Sequence, residues 1–203
     1  RAGEALAKQG AHVAHAKPDI GGETMMLSYR AILTAIVSLG FPQEMFETFA
    51  AMNDADRKLV ADGKDVDGAA ANRLRATARF REVAAAQVVQ QAMKDKLATF
   101  FQKWDAVLMP ISPVTAFKHM QDGDFNSRIL DVDGKPVPYP SLLMWISLAT
   151  FLHAPAIAVP AGRTASGMPV GVQLVGRWRS EDRLFDYAAA IEDVLGGFEP
   201  PPL

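Results

Sequence analysis

Two neighbouring runs near the carboxyl end of the chain decide the fold: PAIAVPAG at residues 155–162 and GMPVGVQLVG at residues 167–176. Both are rich in apolar residues and bounded by glycine and proline, a pattern typical of strands joined by a tight turn. Glycine at position 171 allows another part of the chain to approach the second strand closely. Residues 181–195 have helical spacing, and Gly196 ends that helix. The sequence therefore predicts a strand, a turn, a second strand and a helix in series.

The chain before these runs has mostly helical spacing of its apolar residues. Helices are predicted over residues 4–9, 23–39, 42–62 (two short helices), 69–104 (one long helix, broken at most once) and 141–152. A strand is expected over residues 12–15 and a short buried strand over residues 105–110. Residues 110–140 contain five prolines and form a long irregular connection, which in a compact domain is either functional or disordered.

Composition excludes several classes of protein. The chain has 203 residues, 49% of them hydrophobic, and it contains no cysteine, which excludes disulfides, thiolate metal sites and a cysteine nucleophile. Its 21 Lys and Arg against 23 Asp and Glu argue against a nucleic-acid partner or an anionic membrane surface. No run approaches the roughly 18 apolar residues of a membrane span, and the amino terminus does not resemble a secretory signal. We expect a soluble cytoplasmic protein.

General catalytic and metal-binding motifs are absent from the sequence. It has no G-x-S-x-G, P-loop, H-E-x-x-H or G-x-G-x-x-G motif. His12 and His15 are three residues apart on an expected strand, so their side chains point to opposite faces and do not form a metal site. The predicted helix over residues 69–104 carries a basic cluster, which we interpret as a solvated face: Arg73, Arg75, Arg79 and Arg81. Its aromatic group is interpreted as core: Phe100, Phe101 and Trp104.

The Gly/Pro/Gln string of residues 155–176 resembles the C-terminal end of the amidase signature family. The family pattern is roughly G-x-P-A-x-x-x-P-x-G, a short gap, then G-x-P-x-G-x-Q-x-x-G and a helix containing Glu. WDAVLMP at residues 104–110 also resembles the D-x-[LV]-[LV]-x-P strand of that family, and the opening helix followed by Gly10 resembles another of its units. The resemblance runs in order from about residue 2 to residue 195.

This resemblance implies an α/β fold, in which residues 1–203 form the C-terminal part of the amidase signature fold: a mixed β-sheet flanked by α-helices. Members of the family hydrolyse carbon–nitrogen bonds of amides with a serine nucleophile, a bridging serine in a cis peptide and a lysine. Those residues lie in the N-terminal half of the family pattern, and no position here matches them. The resemblance thus implies no catalytic residue and no cofactor in this chain, which we expect to be inactive alone.

The resemblance also points to residues that line the substrate pocket. The turn at residues 110–113 and the segment 145–155 match positions that border the acyl pocket in relatives. The candidate substrate-binding residues are Ile111, Trp145, Phe151 and His153. His153 stands where family members usually carry Gly, and Ile111 replaces a common Thr, so we expect a bulkier pocket wall.

The alternative hypothesis is a stand-alone, non-catalytic α/β module, kept for binding or assembly. The absence of an initial Met favours the first hypothesis, as does the expectation that strands separated from the rest of their sheet expose apolar edges. The expected partners are the missing N-terminal half of the same protein, a small-molecule amide and a second copy in a homo-oligomer. The sequence leaves open which amide is cleaved, and whether the parent is a free amidase or an amidotransferase-type subunit.

Overall fold

The computed structural model describes residues 1–123 and 125–200, with the side chain of residue 126 omitted. The chain divides into two units. The sheet unit comprises Arg1–Asp19 and Lys96–Leu203, and the helical unit comprises Ile20–Asp95.

Eight α-helices and five strands are described. The helices are α1 (Ala2–Lys8), α2 (Gly22–Val37), α3 (Gln43–Ala51), α4 (Asn53–Ala61), α5 (Ala69–Ala76), α6 (Phe80–Phe100), α7 (Leu143–Leu152) and α8 (Glu181–Leu195). The strands are β1 (Ala106–Pro110), β2 (Ile129–Val132), β3 (Lys135–Pro138), β4 (Ala156–Arg163) and β5 (Pro169–Gly176). Short 3-10 helices cover Ser38–Gly40, Phe125–Ser127 and Tyr139–Leu142.

Strands β1, β5 and β4 form an antiparallel sheet with β5 in the centre. Leu174 on β5 lies opposite Leu108 on β1 and Ile157 on β4. The pairing of β4 shifts between Pro160 and Gly162. Proline has no N–H to give to a ladder, so an edge strand and a bulge are the places where a sheet accommodates it. The predicted strand pair is confirmed.

The apolar core of the sheet unit lies between this sheet and helices α1 and α8. Leu184, Ala188 and Ile191 of α8 repeat at intervals of four and three residues, which places them on one helix face. They pack against Val159 and Leu174, and Ala2 and Leu6 of α1 join the same core. The predicted α/β architecture, with helices against a sheet, is confirmed, and the three strands of this sheet are antiparallel.

The expected strand over residues 12–15 is wrong. Residues 11–18 are irregular, Val13 is 46% exposed, and His12 stacks on Trp104 with ring centroids 5.9 Å apart. A strand needs a neighbour to satisfy its backbone N–H and C=O groups, and one exposed valine supplies too little apolar area to hold it on a sheet.

The prediction of Phe101 as core is confirmed, because its side chain is buried.

The predicted irregular connection of residues 110–140 contains a hairpin of strands β2 and β3. Asp133 and Gly134 form its two-residue turn with φ of 52° and 77°. An Asp-Gly pair with two positive φ angles matches the right-handed twist of the flanking strands. Prolines at positions 136 and 138 are tolerated because β3 belongs to a two-stranded ribbon.

The helical unit confirms the predicted helices, and Arg79 and Arg81 are exposed as the predicted solvated face requires, but Arg73 and Arg75 are not. The carboxylate of Asp56 is 1% exposed and accepts two hydrogen bonds from Arg73, at 2.8 Å from Nε and 2.6 Å from Nη2. The hydrogen bonds from Arg73 lower the pKa of Asp56, against the effect of burial. Arg75 is also largely buried and pairs with Asp67. Spacing along one helix does not reveal such partners, because they come from other segments.

Candidate substrate-pocket wall

The four candidate substrate-binding residues all lie in the sheet unit, on or next to two of its elements. Ile111 follows the last residue of β1, and it is partly buried. Trp145 and Phe151 belong to α7, and His153 is the residue immediately after that helix. Trp145 is partly buried, Phe151 is buried at 2% exposure, and His153 is exposed.

Ile111 is accommodated by a glycine on the central strand. A Cβ atom placed on Gly171 would lie 3.2 Å from Cδ1 of Ile111 and 3.4 Å from the carbonyl oxygen of Val159. The distance to Ile111 is shorter than an ordinary van der Waals contact, so a larger residue at position 171 would push the end of that side chain aside by a few tenths of an ångström. Gly171, which the sequence analysis predicts to allow close approach of another segment, is therefore the residue that leaves room for the Ile111 side chain.

Gln173 joins the two segments that carry Ile111 and Trp145. Its side chain on β5 is 5% exposed, and Nε2 donates to the carbonyl oxygen of Pro110 at 2.8 Å and to that of Trp145 at 3.2 Å. Both amide hydrogens are thereby used, and the carbonyl groups of two different segments receive a donor from the same buried side chain. The end of β1 and the first turn of α7 are fixed to the same strand. Sequence reasoning included Gln173 in the motif but gave it no role.

His153 has a backbone conformation that favours glycine. Its φ is 55° and its ψ is 37°, which is the left-handed region, at the C-terminal end of α7. Helices commonly end with a residue in this conformation, usually glycine because it has no Cβ. Histidine is one of the few other residue types that adopt it with some frequency. The resemblance supplied the signal here, since the family usually carries Gly at this position.

Two open cavities lie elsewhere in the sheet unit, and none of the four candidate residues lines either. One, of about 410 Å³, lies at the start of α8 and is lined by residues that include Trp104, Asp105, Arg177, Arg179 and Arg183. The other, of about 430 Å³, lies between residues 113–120 and the hairpin of β2 and β3. Among the described residues, no group of three or more His, Cys, Asp and Glu side chains could hold a metal ion.

None of the described helices is both long enough and apolar enough to span a membrane.

Comparison with known protein families gives a direct match. The family model described as Amidase matches residues 1–185 of the 203. The chain belongs to the amidase family. The match extends from α1 through both strands of the Gly/Pro/Gln string and into α8, so the resemblance inferred from the sequence is confirmed.

Curated relatives share about a third of their aligned residues with this amidase-family chain. It is 36% identical over 118 residues to one subunit of the glutamyl-tRNA(Gln) amidotransferase of Exiguobacterium sp., an alignment that covers 58% of this chain and 22% of the relative. The corresponding subunit of Thermotoga maritima is 35% identical over 107 residues, covering 53% of this chain and 20% of the relative. The aligned part therefore spans about a fifth of the length of these relatives.

Solved structures of the family share its fold. The Thermotoga maritima subunit has a TM-score of 0.60 at 23% identity, covering 98% of this chain and 39% of that one. A structure described as an amidase gives 0.62 at 17% identity, covering 95% and 40%. A bacterial aryl acylamidase gives 0.60 at 16% identity, covering 98% and 41%. At these identities the likeness concerns the fold.

Proposed function

We propose that this chain is the C-terminal part of an amidase that hydrolyses carbon–nitrogen bonds of amides. In this proposal it supplies sheet scaffold and one wall of the substrate pocket. The serine nucleophile, the bridging serine and the lysine belong to an N-terminal half. The observation that carries the proposal is the amidase family match over residues 1–185.

The chemistry requires a rigid wall beside the nucleophile. In amide hydrolysis by a serine, the hydroxyl oxygen attacks the carbonyl carbon, the amine leaves, and water then releases the acid from the acyl-enzyme. The acyl group must stay in place through both steps, since misplacement by about 1 Å costs around a hundredfold in rate. We assign that role to Ile111, Trp145, Phe151 and His153, and the two hydrogen bonds of Gln173 support it by fixing the backbone at Pro110 and Trp145.

The edges of the sheet support an association with further protein. Among the described strands, β1 and β4 each pair with β5 alone, so each leaves one edge without a strand partner. Unpaired strand edges favour pairing with another segment. Large apolar side chains are also exposed on the helical unit, including Leu39 and Phe80 at 85% each. The proposed occupants of these surfaces are the N-terminal half and, in a homo-oligomer, a second copy.

The gene sequence upstream of the Arg1 codon provides the first test. We expect it to encode a Gly/Ser-rich stretch preceded by a lysine. A start codon at that point, with no such stretch upstream, would contradict the proposal and favour a non-catalytic module.

A kinetic comparison provides the second test. The longer gene product should hydrolyse members of a panel of small amides, and the 203-residue chain alone should hydrolyse none. In the longer product, Trp145→Ala should raise KM about tenfold through lost pocket contact. Trp178→Ala is the matched control, because this tryptophan is 64% exposed outside α7 and should leave KM unchanged. Equal changes in KM for the two substitutions would show that Trp145 does not belong to the pocket wall.

A further inference from the structure

The two segments that carry the proposed pocket wall contain no charged residue. Charged residues make up 22% of the chain, yet residues 106–117 and residues 136–162 contain no Asp, Glu, Lys or Arg. Ile111 belongs to the first of these segments, and the second contains the whole of α7 together with His153. Proteins keep charged residues out of surfaces that are buried, so these neutral segments indicate a surface that is covered in the working protein.

Core packing accounts for one face of α7. Leu148 and Phe151 lie on that face at 6% and 2% exposure. On the opposite face Ile146 is partly exposed and Thr150 is exposed, and His153 is exposed just beyond the helix. A helix that is apolar on all sides is normally buried on all sides. The outward face of α7 therefore has an occupant in the working protein, and the proposed function makes that occupant the acyl group of the amide.

The hydroxyl groups of α7 are already used within the helix. Ser147 donates from Oγ to the backbone carbonyl oxygen three residues earlier, at 2.6 Å, and Thr150 donates to the carbonyl oxygen four residues earlier. A hydroxyl bonded in this way is directed at its own backbone rather than at a ligand. Neither the indole of Trp145 nor the imidazole of His153 carries a permanent charge. The segment therefore presents hydrocarbon and neutral rings to the pocket.

We propose that the pocket selects amides whose acyl group is apolar and uncharged, and rejects amides whose acyl chain ends in a carboxylate or an ammonium group. This inference rests on the proposed function and adds the substrate class to it. Burial of a hydrocarbon chain against such a wall is favourable. A charged chain end would lose its water there without gaining a counter-charge, which is strongly unfavourable. The neutral wall therefore distinguishes acyl groups by their charge.

Ammonia release from three amides of one chain length tests this selection in the longer gene product at pH 7. The substrates are heptanamide, 7-aminoheptanamide and pimelamate, whose chains end in a methyl, an ammonium and a carboxylate group. We expect kcat/KM for heptanamide to exceed that for each charged amide about a hundredfold. A charged amide that equals heptanamide, or a product that hydrolyses other amides but not heptanamide, would overturn the inference. Hydrolysis of no amide at all would contradict the proposed function, and the inference with it.

A pair of substitutions at one wall residue locates the selection. His153→Lys and His153→Glu place a side chain with a Cβ in the same left-handed conformation and differ in the sign of the charge they add. The quantity measured in each variant is the ratio of kcat/KM for pimelamate to kcat/KM for 7-aminoheptanamide, which does not depend on the amount of folded enzyme. We expect His153→Lys to raise this ratio about tenfold and His153→Glu to lower it about tenfold.

The same pair of charges on an exposed residue outside the wall provides the control. Gln102→Lys and Gln102→Glu change the charge of the turn that follows α6, and we expect both to leave the ratio as it is in the unsubstituted enzyme. A ratio that stays constant in both His153 variants would show that the wall does not make the selection, and would refute the inference. Shifts of equal size at Gln102 would refute it as well, because they would assign the effect to net charge.

Discussion

The sheet unit and the helical unit are stabilised by different interactions. Buried apolar side chains such as Leu174 and Ile191 form the core of the sheet unit. The helical unit also buries apolar side chains, among them Tyr29, Ala70 and Met93, and it adds the buried ion pair of Asp56 with Arg73. Burial of hydrocarbon does not change with protonation, whereas an ion pair is lost when its carboxylate is protonated. Acid should therefore lower the stability of the helical unit through protonation of Asp56, whereas the apolar core of the sheet unit contains no such carboxylate.

The tryptophans allow the two units to be followed separately. All three of them, Trp104, Trp145 and Trp178, are in the sheet unit, and residues 20–95 contain none. Tryptophan fluorescence therefore follows the sheet unit, while hydrogen exchange of peptides from α4 and α5 follows the helical unit.

The largest effect is expected from a cavity in the core of the sheet unit. Ile191→Ala should lower the free energy of unfolding by about 4 kcal/mol, because Ile191 is 0% exposed and its removed atoms leave a void. Urea unfolding followed by tryptophan fluorescence measures this loss. Phe185→Ala, on the same helix at 63% exposure, should cost less than about 1 kcal/mol. Comparable losses in both variants would show that the α8 core does not dominate this unit.

The next effect comes from breaking the buried ion pair of the helical unit. Asp56→Asn should cost about 3 kcal/mol at pH 7, because the partly buried Arg73 guanidinium loses the carboxylate that accepts its two hydrogen bonds. Hydrogen exchange of peptides within residues 53–76 should accelerate accordingly. Asp54→Asn, exposed on the same helix, should cost less than about 1 kcal/mol. Equal acceleration in the two variants would show that the ion pair contributes little to this unit.

The same substitution should remove an acid sensitivity. The pKa of Asp56 is below its usual 3.8 in the folded chain, so its stabilisation is present above that value and is lost as pH falls through the folded pKa. Stability of the wild-type helical unit should therefore decline below about pH 4 more steeply than that of Asp56→Asn. Parallel declines in the two proteins would contradict the assignment to Asp56.

A smaller effect is expected at the link between β5 and the candidate wall. Gln173→Leu should cost about 2 kcal/mol, because the carbonyl groups of Pro110 and Trp145 lose their donor while the volume is largely kept. Tryptophan emission should also change in the native state, since α7 carries Trp145. Gln102→Leu is the matched control, because Gln102 is exposed in the turn that follows α6. Native emission and stability equal to wild type would show that Gln173 does not hold α7.

The smallest effect is a difference between two substitutions at the end of α7. His153→Gly should be about 0.5–1 kcal/mol more stable than His153→Ala, because both variants lose the imidazole and only alanine keeps a Cβ in the left-handed conformation. The comparison with alanine therefore measures the backbone effect alone. Equal stability of the two variants in urea unfolding would show that the left-handed conformation costs nothing measurable at this position.

The sequence predicts local elements well where glycine and proline bound apolar runs. The strands of residues 155–176 and helix α8 follow this rule, and the predicted bounds of α8 agree with the observed ones. The β2–β3 hairpin escapes prediction because Pro136 and Pro138 indicate irregular structure, although the Asp133–Gly134 pair is the stronger signal. The predicted strand at residues 12–15 is wrong because alternation over four residues is too short to establish a partner.

Contacts between residues that are far apart in the chain could not be predicted from the sequence. Gln173 contacts carbonyl groups 63 and 28 residues away, and Asp56 is buried by an arginine 17 residues along the chain. Neither pairing follows from periodicity, because it depends on how separate elements pack. The family resemblance does supply one fact that depends on packing, namely that family members usually carry glycine at position 153. A family pattern can show this because glycine is preferred where packing imposes a left-handed backbone.

The division of the sheet unit into two stretches of chain affects the order in which it can form during synthesis. Helix α1 belongs to the first stretch and α8 to the second, yet Ala2 and Ile191 share one core. At about 5–20 residues per second, a ribosome needs roughly 10–40 seconds to reach Ile191 after making Ala2. Throughout that time Leu6 and its apolar neighbours lack their α8 partners and are accessible to chaperones. This core therefore closes only after the whole helical unit has left the ribosome.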